Sequence, residues 1–147
     1  MQRLGKDCTK WNAEQLAKAM KVLEQEKQRG NRYVLTKPDK VIIYPLSGNQ
    51  MGTCTESPTG CYFYESGDLG VNVDREPAAI AFTIQHELQH GVNVEAGVAP
   101  GDPSDERCAK ARAVNFMFAA SREVYDEIRR DRYHYESPRS VYGCAGF

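Results

Sequence analysis

Apolar residues recur three and four apart at Leu16, Ala19, Met20 and Leu23, and Glu, Gln and Lys fill most positions between them. That spacing predicts an amphipathic helix with one buried face. Trp11-Asn12-Ala13-Glu14-Gln15-Leu16 reads as its start: Asn12 caps, Gln15 reaches back, and Trp11 staples onto Leu16. Gly30 is the expected end. Over residues 33–74 the period shortens to β-prone runs, Val41-Ile42-Ile43-Tyr44, Cys61-Tyr62-Phe63-Tyr64 and Leu69-Gly70-Val71-Asn72-Val73, set apart by Gly, Pro, Ser and Asn. They predict a small, mainly antiparallel sheet, with Glu65-Ser66-Gly67-Asp68 turning between the last two strands. Asp74 or the residues just after it open a second helix. Pro77 is tolerable in its first turn, and Ile80, Ile84 and Leu88 form a buried stripe. It should stop near Gly91 to Asn93, before a loop holding Gly97, Pro100 and Gly101. Asp102-Pro103, a cap followed by a good first helical residue, begins a third helix expected to reach about Arg130. The fold class is therefore α+β.

Composition narrows the function. A chain of 147 residues with no linker, repeat or low-complexity tract suits one domain. Acids and bases nearly balance at a formal charge of -1, so no basic field nominates nucleic acid or an anionic membrane as a partner. Neither a membrane span nor the apolar core of a signal peptide is visible, and the chain reads as soluble. Five cysteines are many for a reduced domain, which tilts the localisation toward export, and an odd number leaves one unpaired or bridging another chain. Cys54 and Cys61 flank the turn-rich Thr-Glu-Ser-Pro-Thr-Gly and can meet as a disulfide; the alternative is five thiols packed as small apolar groups. No Cys-x-x-Cys pair supports a thiolate metal site.

The chemistry concentrates in the second helix. His86 and His90 stand one helical turn apart, so both imidazoles leave the same face and can share a metal ion. Glu87 lies beside them, placed to take a proton from water acidified by the metal and to pass it to a leaving amine. The plain alternative is a pair of packed histidines and a solvated acid, and it is weakened because the chain has only three histidines in all.

Thr83-Ile84-Gln85-His86-Glu87-Leu88-Gln89-His90 resembles the active-site helix of the zincin metallopeptidases, whose motif is His-Glu-x-x-His. The metzincin branch needs a Gly and then a His or Asp where this chain has Asn93 and Ala96. The aspzincin branch needs a ligand Asp that Ser137-Pro138-Arg139-Ser140-Val141-Tyr142-Gly143 lacks. Glu106, followed by Ala109, Ala113 and Phe116, is similar to the gluzincin pattern, in which a Glu of the next helix is the third ligand. The resemblance spans residues 69–116. It implies zinc as cofactor, a protein or peptide substrate, and a substrate strand added to a sheet edge, for which residues 69–73 are the candidate. Short domains of this kind look like those of secreted effectors or toxin modules, and also like compact phage or housekeeping peptidases.

On the residues themselves the third ligand stays open between Glu106, Asp105, Asp102 and His134. A carboxylate that does not ligate can instead hydrogen-bond a ligating imidazole. His134 and Tyr142 are the candidate donors to the oxyanion of an attacked carbonyl. Two other classes stand beside the peptidase: a metal- or partner-binding module without turnover, and an interaction protein in which the motif is accidental. The intact Glu87 argues against the first.

Overall fold

The computed structural model describes residues 2–54 and 57–147, with residues 2–9 and 53 described by their backbone alone. Among the described residues four helices, α1 (Gln2–Gln28), α2 (Pro77–Glu95), α3 (Pro103–Ala119) and α4 (Arg122–Arg130), accompany three strands, β1 (Ile43–Leu46), β2 (Gly60–Phe63) and β3 (Asp68–Asn72). A 3-10 turn, Gly48–Thr53, follows β1. The class is α+β, as the periodicity predicts. No helix among the described residues is long and apolar enough to cross a membrane.

Helix α1 begins well before Asn12, and that residue is not a cap. Inside a helix the nearby N–H groups already bond carbonyls one turn back, which frees a polar side chain for tertiary contacts. Asn12 is buried and donates to Pro45 O and to Gln50 Oε1, each at 3.1 Å. Buried Gln15 donates to Val73 O at 3.2 Å and to Arg75 O at 3.1 Å. The residues that read as a helix start are thus cross-links between α1 and the sheet. Trp11 remains 40% exposed rather than stapled, while Ala19 and Leu23 are buried as expected.

The sheet is mixed, not mainly antiparallel. Its order is β1-β3-β2, with β1 parallel and β2 antiparallel to β3. The expected edge, residues 69–73, is therefore the central strand, and both of its sides are hydrogen-bonded. Leu69, Val71 and Val73 are fully buried there. Pro45 explains part of the order, because a residue without N–H belongs on an edge strand, and it lies in β1. The free edge beside the motif helix is β2. A turn joins β2 to β3 as expected, but at 64–67, one residue earlier, with Asp68 already in β3; Gly67 is at φ +80° and its N–H donates to Phe63 O.

Helix α2 is the hub, touching α1, α3, α4, β2 and β3. It runs through Gly91 to Glu95, past the expected stop. Gly91 stays helical where the Tyr62 ring lies against it, 3.4 Å from the place a Cβ would occupy, and Gly97 at φ +86° lies just beyond the helix end. The third helix, expected unbroken to Arg130, divides at Ala120. Ser121 Oγ accepts from Val124 N and caps α4, while Ser121 N donates to the buried carboxylate of Glu26 at 3.2 Å. Glu26 also accepts from Asn31 Nδ2 and Arg29 Nη1, so a carboxylate of α1 holds the break.

Two disulfides staple the fold. Cys54–Cys61, with Cα atoms 5.4 Å apart, ties the end of the 3-10 turn to β2; Thr55 and Glu56 inside that loop lie outside the described residues. Cys108–Cys144, with Cα atoms 5.6 Å apart, ties α3 to the C-terminal segment. All four cysteines whose side chains are described are therefore paired, against the all-thiol alternative.

Candidate metal centre

A cleft of about 950 Å³ opens between β2, α2, the start of α3 and the segment after α4, and His86, Glu87, His90, Asp105, Glu106 and Tyr135 line it. One turn of α2 supplies the two imidazoles and Glu87. The Cys108–Ala109 and Ala113 stretch of α3 is buried, and these small side chains bring α3 close to α2, so Glu106 overhangs the histidines. His86 Nε2 lies 2.7 Å and His90 Nε2 3.9 Å from Glu106 Oε1. One ligand atom from each of the three residues lies within 4.8 Å of the others, so this group could hold a metal ion.

The far nitrogens show whether the donors fit. His90 Nδ1 lies 2.9 Å from Asp105 Oδ1, and the Asp105 carboxylate also accepts from Tyr64 Oη and from Asn93 Nδ2. An ionised carboxylate only accepts, so Nδ1 carries the proton and Nε2 presents a lone pair to the cleft. His86 Nδ1 meets the Tyr135 hydroxyl. At 2.7 Å, His86 Nε2–H donates to Glu106 and Nδ1 accepts from Tyr135. A hydroxyl both donates and accepts, so Tyr135 still satisfies the ring when Nε2 gives up its proton to ligate. Ligands of a tetrahedral ion with bonds of about 2.0–2.2 Å are separated by roughly 3.3–3.6 Å; the two distances to Glu106, 2.7 and 3.9 Å, bracket that spacing, and the three donors within 4.8 Å of one another need only a small closure to reach it. The residues fit a divalent cation that accepts nitrogen and oxygen.

Charge in the cleft is arranged by burial and pairing. The hydrogen bond with His86 holds the Glu106 carboxyl down to about 2, against a smaller opposing effect of burial. Burial pushes the Glu87 carboxyl up to about 8, opposed by His90 and assisted by Glu106 and Asp105. Burial, followed by the bond to Asp105, raises the Tyr64 phenol, and burial raises that of Tyr135. Both hydroxyls therefore stay protonated as hydrogen-bond donors.

The structure sorts the remaining sequence candidates. Asp105 faces His90 Nδ1 from behind the cluster. Asp102 caps α3, accepting from Ser104 N and Oγ, and stays exposed. His134 turns back to Asp131 O at 2.7 Å and does not line the cleft, and Tyr142 is 87% exposed and does not line it either. Neither expected oxyanion donor is brought to the site. For His134, the buried pair Arg75–Asp131 at 3.0 Å anchors the start of the segment after α4, where Tyr133 and Tyr135 line the cleft instead; Tyr142 lies on the far segment held by Arg107. Tyr64, Asn93 and Tyr135 were not singled out from the sequence. Asn93 had a signal, since it follows His90 by three residues and shares its side of the helix.

Gly60 shows how closely β2 packs on the motif helix. A Cβ there would lie 2.8 Å from Gly70 O, 2.8 Å from Thr83 Cγ2 and 3.4 Å from Glu87 Oε2. Gly60→Ala is expected to destabilise the fold by about 1–3 kcal/mol, the usual range for overpacking. A urea midpoint equal to that of the parent chain would show that β2 sits farther from α2 than this.

Comparison with known proteins returns no matching family model, no matching curated protein and no matching solved structure.

Proposed function

We propose that this chain is a zinc-dependent metalloenzyme of the His-Glu-x-x-His kind. More particularly, we propose a peptidase with His86, His90 and Glu106 as ligands and Glu87 as general base and then general acid. The reading is carried by one observation: two imidazole nitrogens and a carboxylate from two helices converge in an open cleft, with an ionisable acid beside them. Two nitrogens and one carboxylate are a donor set that suits zinc while leaving a position for substrate.

Bound there, the ion would supply Lewis acidity to a carbonyl and lower the pKa of water. The chain's residues do the rest. Once ionised, Glu87, one residue from His86 and walled by β2, takes the proton from water and returns it to the departing amine. Asp105 holds the His90 ring and Tyr135 the His86 ring. The free edge of β2, along the cleft, offers main-chain groups to an extended peptide.

Metal analysis of protein prepared without chelators should return one zinc per chain, and an unfolded protein substrate should be cleaved. An o-phenanthroline treatment should stop cleavage, and added zinc should restore it. Protein that carries no metal and takes none up overturns the reading. Stoichiometric zinc without cleavage of any peptide would favour a binding module on the same site.

A further inference from the structure

Gln89 lies between the two motif histidines in sequence but faces away from the cleft, and it is fully buried. Its amide is used on every side. Nε2 donates to Asn93 Oδ1 at 2.9 Å and to Ala145 O at 2.8 Å, while Oε1 accepts from Arg112 Nε at 3.0 Å. Asn93 Nδ2 in turn donates to Asp105 Oδ1 at 2.9 Å and to Asp105 O at 3.1 Å. That same Asp105 oxygen holds His90 Nδ1.

The direction of this chain is set from its far end. A guanidinium only donates, so Gln89 must turn its oxygen to Arg112 and its NH₂ to Asn93. Asn93 must then turn its own NH₂ to Asp105, and Asp105, which only accepts, keeps the proton on His90 Nδ1. All five residues are at most 6% exposed, and a network of this kind is costly when partly satisfied.

The far end is fastened by the C-terminal segment. Arg112 Nη2 donates to Gly146 O at 2.7 Å, and its guanidinium stacks 4.0 Å from the Phe147 ring centre. Burial lowers the Arg112 pKa only to about 10, so the cation persists. Cys144 is bridged to Cys108, and Arg107 donates to Ser140 O and Tyr142 O. None of these groups reaches the cleft.

We infer that residues 144–147 are a positioning element for the metal centre, acting through Arg112, Gln89, Asn93 and Asp105 to keep His90 Nε2 free and aimed at a divalent cation. Arg112, Gln89 and Asn93 are positioning residues rather than ligands. The inference rests on the metal-centre reading above. A carboxylate behind a ligating imidazole raises its basicity and fixes its tautomer, and here that carboxylate is itself held by a chain ending at the C-terminal segment.

Zinc affinity of the full chain, measured by competition with a chromophoric chelator, tests this without reference to turnover. Asn93→Ala should weaken zinc by about 10–100-fold, the range for partners one layer behind the ligands. A chain ending at Cys144 should lose about tenfold or more and show an altered visible spectrum when loaded with cobalt. Ile128→Val, buried and away from the network, should lower the melting temperature and leave zinc affinity unchanged. Gln89→Leu combined with Arg112→Leu removes the bond between them with both of its partners, and the carbonyls of Ala145 and Gly146 lose their donors; it too should bind zinc at least about tenfold more weakly. Parental affinity and cobalt spectrum in the folded variants would overturn the inference alone. A parent chain that takes up no metal would overturn both it and the reading it rests on.

Discussion

Glu87→Gln is expected to lower the turnover number for peptide cleavage by about 10²–10⁴-fold, the range attributed to a positioned general base, with the metal content unchanged. The substitution keeps the size of a side chain that is walled on one side by β2 and buried in α2, so the fold has no reason to move. It removes the only feature that proton transfer needs, an oxygen able to accept and release a proton. Glu87 is also not among the three converging donors, so its loss should not empty the site. Metal analysis and single-turnover cleavage on the same preparation separate the two effects. Full activity in this variant would end the general-base assignment, even if zinc remained essential.

The second large effect is expected at Glu106. Removing its carboxylate with Glu106→Ala should weaken zinc by more than the about 10–100-fold typical of a residue that only supports a ligand. Among the described residues it is the one carboxylate facing both Nε2 atoms, at 2.7 and 3.9 Å. Asp102→Asn and His134→Ala should leave zinc affinity at the parental value, since Asp102 is engaged in capping α3 and His134 in bonding Asp131 O. Chelator competition across these three variants assigns the third ligand. Parental affinity in Glu106→Ala, with loss in either of the others, would move the assignment.

How much of this was readable along the chain depends on how local each contact is. His86, Glu87 and His90 share one helical turn, so their common face follows from a 3.6-residue period and needs no partner. The same period on α3 puts Glu106 in line with Ala109, Ala113 and Phe116, which made it one of four candidates for the third ligand without choosing among them. The role of Asp105 was legible only as a class, a carboxylate that could support an imidazole. Which imidazole it meets depends on the offset between α2 and α3.

Other features ran against local reading because the same residue types serve two purposes. Asn12 and Gln15 have the composition of a helix start, yet they bond β1 and the residues after β3 across the fold. Ser121 has the composition of a cap, but its effect was hidden within an apolar stripe that runs on through Val124 and Ile128. At the break Ser121 N donates to the carboxylate of Glu26 on α1, a contact no local pattern shows.

The sequence by itself determined the class of fold, the helix that carries the histidines and the acid beside them, since these depend on propensities and periods within one or two turns. The tertiary structure decided the strand order, the pairing of Cys108 with Cys144, the convergence of Glu106 with the two imidazoles and the link from Arg112 to His90. Each of these joins residues far apart in the chain, and their distances are set by how whole elements pack.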